Sequence, residues 1–152
     1  RGRSIHLLCG GVEQVRITEM FTLSTRSLSN LENVHPDLVE VVRLAGELCD
    51  AEGLDFIITD GHRTYAEQVE FVRTGKSKTL KSRHLNGFAI DFVGLVNGRV
   101  TYDVKVMAAI AECFKRAAAK RRTPIVWGGD WISFKDTPHI QLSAERYPDD
   151  SA

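Results

Sequence analysis

The stretch from Ser82 to Phe92 constrains this chain more than any other. Successive side chains of a strand point to opposite faces, so Phe88, Ile90 and Phe92 share an apolar face while Gly87, Ala89 and Asp91 share the other. A core on one side is thereby paired with an acid on the other, on a surface that glycine and alanine leave clear of bulk. His84 precedes Asp91 by seven residues and can enter the cleared face from the preceding loop. A second strand repeats the division. Ile140 and Leu142 point one way, His139 and Gln141 the other, and Asp136 stands three residues before His139 in a loop that Pro138 stiffens. Two such strands have one core to share and one polar pocket to offer.

The rest of the chain supplies elements to cover that core. His35-Pro36-Asp37 predicts a helix start, with Leu38, Val41, Val42, Ala45, Leu48 and Cys49 as its apolar stripe and Gly53 as its stop. Phe56 to Thr59 reads as a strand that ends at Asp60-Gly61. Thr64-x-x-Glu67 is a capping box for a second helix, to about Arg73, with Gly75 beyond it. Lys76 to Arg83 reads as a solvated basic loop. Asn97-Gly98 predicts a two-residue hairpin turn after the Phe88 strand. Asp103 caps a long third helix whose stripe is Val106, Ile110, Cys113, Phe114 and Ala117; Lys120-Arg121-Arg122 suits its negative end. A short strand at Ile125-Val126, a glycine loop and the strand from His139 to Leu142 follow, and the tail from Tyr147 is expected to fray. Helices and short strands in this mixed order predict an α+β fold.

At 152 residues, with 43% hydrophobic and 26% charged side chains, the chain has the size and composition of one folded domain. Its 20 basic and 20 acidic residues cancel, which argues against a dedicated nucleic-acid binder. No apolar run approaches the roughly eighteen residues of a membrane span. Cys9, Cys49 and Cys113 are odd in number and widely spaced, so reduced thiols are expected rather than a disulfide framework or a cysteine zinc knot. Residues 1–19 lack steady periodicity and read as an N-terminal extension, upstream of a single domain over residues 20–152. No secretion signal is seen in them, so residence in the cytoplasm is expected.

Two histidines and an aspartate suit a three-ligand zinc site with a fourth position open for water. A second carboxylate near the metal but not on it can take that water's proton. On spacing alone His6, His35 and His62 compete as ligands, and any of these histidines can instead be structural. His35 beside Pro36 reads as a helix-start residue, whereas His62 sits in a loop after a strand.

The run Ser82-x-His84-x-x-Gly87-x-Ala89-x-Asp91, followed by Asp136-x-Pro138-His139-Ile140-Gln141, resembles the zinc D-alanyl-D-alanine peptidases. Within them it is most similar to the L-alanyl-D-glutamate endopeptidases of phage endolysins and related cell-wall enzymes. Asp60-Gly61-His62-Arg63-Thr64 and Trp127-Gly128-Gly129-Asp130-Trp131 match in the same order, and the resemblance covers Val34 to Leu142.

The resemblance implies a hedgehog/DD-peptidase-like fold, a small and mainly antiparallel sheet with helices packed on it and the zinc site on the sheet. It implies one zinc ion held by His84, Asp91 and His139. It further implies Asp136 as general base, where many relatives carry glutamate, and Arg63 as the cation that steadies the oxyanion. Ser82, Trp131 and Gln141 are candidate substrate-binding residues. Trp127 is read as core, and Asp130 as either a partner of a ligand histidine or a loop cap. The implied activity is hydrolysis of the peptidoglycan stem peptide between L-alanine and D-glutamate, by a monomer that reaches the cell wall from the cytoplasm once the membrane is breached. The alternatives are a D-Ala-D-Ala dipeptidase or carboxypeptidase and a non-catalytic zinc-containing wall-binding module. For the loop from Lys76 to Arg83, contact with anionic wall polymer is the functional alternative to simple solvation.

Overall fold

A computed structural model describes residues 21–149 in full, preceded by the backbone of two strands, β1 (Ser4–Cys9) and β2 (Glu13–Thr18). These pair antiparallel as a two-stranded sheet of their own. Periodicity predicts no element there, although Gly10-Gly11 between the two runs is a turn composition. The side chains of His6 and Cys9 lie outside the described residues.

The two long apolar stripes become helices packed on each other. In α2 (Pro36–Ala51) the His35 imidazole caps the first turn, accepting from Asp37 N at 3.0 Å, and Pro36 takes the first helical position. In α4 (Val104–Arg121) the Asp103 carboxylate accepts from the N–H groups of Lys105 and Val106. Leu38, Val41, Val42, Ala45 and Cys49 of α2 meet Met107, Ile110, Cys113, Phe114 and Ala117 of α4 in one core. Cys49 and Cys113 are buried free thiols, as expected.

Beneath the helices lies an antiparallel sheet of β3 (Asp55–Asp60), β4 (Ala89–Val96), β5 (Arg99–Thr101), β6 (Ile125–Trp127) and β7 (His139–Leu142). Its order is β3-β4-β7-β6, with β5 paired to β4. The predicted turn is present: Val96 pairs with Arg99, and Asn97 and Gly98 hold φ of 52° and 77°. Phe56, Ile58, Ile90, Phe92, Ile140 and Leu142 face the helices and are buried. Each contributes roughly 1.5–3 kcal/mol by leaving water. Phe114 seals the layer, its ring 5.1 Å from Phe56 and 5.3 Å from Phe92. The opposite face carries Val93 and Ala89, both buried, and the polar side chains of Asp91, His139 and Gln141.

Two further features depart from expectation. A short helix, α1 (Thr25–Asn30), carries no apolar stripe and buries only Ser27. It covers the open edge of β3 instead: Ser27 Oγ accepts from Ile58 N at 3.0 Å, and Asn30 Nδ2 donates to Ile58 O at 2.8 Å. The tail is not frayed at Tyr147. Its ring packs edge-on against His35 at 5.2 Å and its hydroxyl donates to Asp37 at 2.6 Å, so an aromatic contact and a hydrogen bond tie it to the start of α2. Among the described residues no helix is long and apolar enough to cross a membrane.

Candidate metal centre

The register of β4 and β7 places Asp91 directly opposite His139, and Ala89 opposite Gln141. Asp91, His139 and Gln141 therefore rise from the same patch of sheet, away from the core. His84 reaches the patch from a short 3-10 turn, Arg83–Asn86, which Ser82 opens by accepting from His84 N at 3.2 Å and Gly87 closes in the left-handed region at φ 72°. His84 Nδ1 lies 2.7 Å from Gly61 O. That carbonyl is available because the loop after β3 packs tightly on α1. A Cβ at Gly61 would stand 2.0 Å from Asn30 O, so only glycine fits.

These contacts fix both imidazoles. A carbonyl only accepts, so His84 Nδ1 carries the proton and Nε2 is left with a free lone pair. His139 Nε2 lies 2.8 Å from Gln141 Oε1, which leaves Nδ1 as the free nitrogen. Both free nitrogens face one carboxylate oxygen, each 3.4 Å from Asp91 Oδ1. The three ligand atoms lie within 4.8 Å of one another. Ligands on a tetrahedral ion such as zinc are separated by roughly 3.4 Å. The donor set, spacing and outer hydrogen bonds of His84, Asp91 and His139 thus fit a metal site.

The charges of the three residues are tightly linked. Burial alone would raise the Asp91 carboxyl, but its contacts with His139 and His84 hold it well below the usual carboxylate range. Burial alone would lower His139, and the Asp91 contact raises it instead. Asp136 is pushed up, by desolvation and then by the negative charge of Asp91. Its loop is drawn onto the site by Gly128, whose carbonyl accepts from Asp136 N at 3.0 Å. A Cβ at Gly128 would stand 2.3 Å from Asp136 O. Trp127, buried as expected, donates from its indole to Thr137 O at 2.8 Å and steadies the same loop.

Arg63 reaches the centre through an irregularity in β3. The register slips between Ile58 and Asp60, so Thr59 is an extra residue and Asp60 comes to lie opposite Asp91. Asp60 Oδ2 then accepts from Arg63 Nη2 at 2.5 Å and from Nε at 3.1 Å. Gln68 Oε1 accepts from Nη1 at 2.6 Å, and the ring of Phe71 lies 4.2 Å below the guanidinium. The cation is buried, held on three sides, with Nη2 3.9 Å from Asp91 Oδ2. Gln68, fully buried in α3 (Tyr65–Arg73), has no distinguishing mark in the sequence. Its position four residues after the capping residue Thr64 is the one signal, and it reports only a place in the helix.

A cleft of about 460 Å³ opens on these groups, and Arg63, Ser82, His84, Asp91, Trp131, Asp136, His139 and Gln141 all line it. The Trp131 ring lies 5.2 Å from that of His139. Three other residues fall elsewhere. His35 is the cap of α2, His62 joins no ligand cluster among the described residues, and Asp130 pairs with Lys115 at 2.8 Å.

Residues 19–144 match the family described as phage L-alanyl-D-glutamate peptidase. The chain belongs to this peptidase family. It is 32% identical over 131 residues to the L-alanyl-D-glutamate peptidase of Escherichia phage T5, a match covering 84% of this chain and 93% of that one. It is 31% identical over 128 residues to the L-alanyl-D-glutamate peptidase of Listeria phage A118, covering 84% of this chain and 44% of the relative. The chain thus spans less than half the length of the Listeria phage protein. Among solved structures, the Serratia marcescens L-Ala D-Glu endopeptidase ChiX has a TM-score of 0.76 and 43% identity, over 82% of this chain and 92% of that one. VanYB, solved in complex with D-alanine-D-alanine, shares the fold at a TM-score of 0.56 and 17% identity, over 83% of this chain and 81% of its own. The DD-peptidase-like architecture expected from the motifs is therefore the one observed. Every cleft residue named above falls inside the segment matched to the peptidase family.

Proposed function

We propose that this chain is a zinc peptidase that hydrolyses the peptidoglycan stem peptide between L-alanine and D-glutamate. The observation that carries the reading is the pair of imidazoles on Asp91, each with its outer nitrogen engaged and its inner nitrogen 3.4 Å from the same carboxylate oxygen. An ion held by His84, Asp91 and His139 supplies a Lewis acid and a water acidic enough to ionise near neutral pH.

The remaining steps belong to the chain's own side chains. Asp136, raised from its ordinary value, is the general base that takes the proton of the attacking water and passes it to the leaving amine. Arg63 is held by Asp60 and Gln68 and cannot swing away, so it presents a fixed positive charge to the oxyanion as that charge develops. Trp131, Ser82 and Gln141 are cleft-lining residues that bound the substrate. Having both a base and a buried cation in the cleft favours an enzyme over a wall-binding module, which needs neither. The chain works as a monomer at the cell wall, with residence in the cytoplasm until release.

The test is metal dependence. Protein stripped with a chelator should lose hydrolysis of purified peptidoglycan and regain it when zinc is restored at one ion per chain. Undiminished activity in the stripped protein would rule the reading out.

A further inference from the structure

One wall of the cleft comes from the segment Lys76 to Ser82. It is largely exposed to solvent, as expected, but it is tethered. Phe71 O accepts from Lys76 N at 2.8 Å and from Ser77 N at 3.1 Å, which folds the segment back on the end of α3. Gln68, fully buried, donates from Nε2 to Ser77 Oγ at 2.9 Å and to Thr79 O at 2.6 Å. The side chain that braces Arg63 therefore braces this wall too.

Its cations are unevenly matched with acids. Arg83 pairs with Asp149 at 2.8 Å, and Arg63 pairs with Asp60. Lys76 and Lys81 both line the cleft and make no ion pair among the described residues. The Lys76 ammonium lies 5.5 Å from the centroid of the Phe71 ring that also carries Arg63. Two cations thus share one aromatic ring while one of them lacks a counter-charge, an arrangement that an arriving anion relieves. The acids of the cleft, Asp91 and Asp136, are committed to the metal centre in the reading above.

We propose that Lys76 and Lys81 form a carboxylate-binding subsite, and that it takes the free carboxylate of the D-glutamyl residue at the bond that is cut. The inference rests on the activity proposed above and adds its charge selectivity. A carboxamide at the same position offers no charge to these ammonium groups, so the subsite separates free from amidated stem peptides.

Two synthetic stem peptides that differ only in the D-glutamyl carboxylate or carboxamide provide the test, with the zinc-loaded protein. The wild-type protein should cleave the carboxylate form with a kcat/KM about tenfold higher, chiefly through KM, and the ratio should shrink as salt is added. In K76M/K81M the ratio should fall to about one, with bound zinc and melting temperature unchanged, since both lysines are exposed. K76E/K81E should invert the preference. Equal cleavage of the two peptides by the wild-type protein would overturn the subsite and leave the activity standing, as would a wild-type ratio persisting in K76M/K81M. Cleavage of neither peptide by the wild-type protein would overturn the activity, and the subsite with it.

Discussion

Gln68 Oε1 accepts a hydrogen bond from Arg63 Nη1 at 2.6 Å, and both residues are buried. The amide of one helix residue thereby sets the direction of the cation assigned to the oxyanion. Q68L keeps the volume and removes the acceptor, leaving a buried N–H without a partner at a cost of about 1–3 kcal/mol. A melting temperature lower by roughly 3–10 °C is expected, together with a kcat reduced at least about tenfold as the guanidinium loses its fixed orientation. Thermal melts and steady-state kinetics on the metal-loaded variant check both, and an unchanged kcat would count against Arg63 acting through a fixed geometry.

His84 and Asp136 are expected to fail in different ways. H84A removes a ligand, so zinc content and hydrolysis should fall together. D136A leaves the three ligand side chains in place, so zinc should stay bound while kcat drops by about 10²–10⁴-fold. Metal analysis of both purified variants beside their turnover rates separates the roles. Full cleavage by zinc-loaded D136A would remove Asp136 as the base.

Gly128 governs the position of Asp136 without touching the metal ligands' side chains. In G128A the new methyl group would lie 2.3 Å from Asp136 O, so the loop must move away. Asp136 O also accepts from His139 N at 3.1 Å, so zinc affinity should weaken somewhat, but zinc should stay bound because the pairing of Asp91 with His139 and the contact of His84 with Gly61 hold the three ligands. Hydrolysis should fall toward the level of D136A. Wild-type activity in G128A would show that the loop tolerates displacement.

The capping box of α3 makes a prediction about pH. Glu67 is held below its ordinary value, first by the hydrogen bond from the Thr64 backbone N–H and then by the Thr64 side chain. A carboxylate lowered by folding stabilises the folded state above its unfolded value, and that contribution is lost as the pH falls through the folded value. E67Q should therefore melt below the wild type at neutral pH, with the gap closing in strongly acidic buffer. T64A, which removes the cap itself, should cost about 1 kcal/mol. A gap between E67Q and wild type that widens on acidification would contradict the assigned interaction.

What could be read from the sequence was whatever strand alternation and local caps control. Asp91 and His139 had to leave the core because Ile90, Phe92, Ile140 and Leu142 had to enter it, and that logic alone put two of the three ligand residues on one face. The caps at His35, Thr64 and Asp103 were legible because each acts within three residues of itself. Other features depend on partners far along the chain. Thr59 is an extra residue only in relation to β4, and α1 is stabilised by the edge of β3 rather than by a stripe of its own. Gln68 and Tyr147 take their importance from Arg63, Thr79 and Asp37, and no periodicity announces such pairings. Asp130 sits in the right motif, yet Lys115 on α4 claims it.

The central claim, that a His84–Asp91–His139 zinc centre cuts one defined bond of the wall, is tested most directly by mass spectrometry of purified peptidoglycan digested with the zinc-loaded protein. The account predicts fragments ending in L-alanine and fragments beginning with D-glutamate, both absent when a chelator is present and both absent with D136A. Fragments cut at a different bond, or the same fragments released in the presence of the chelator, would contradict it.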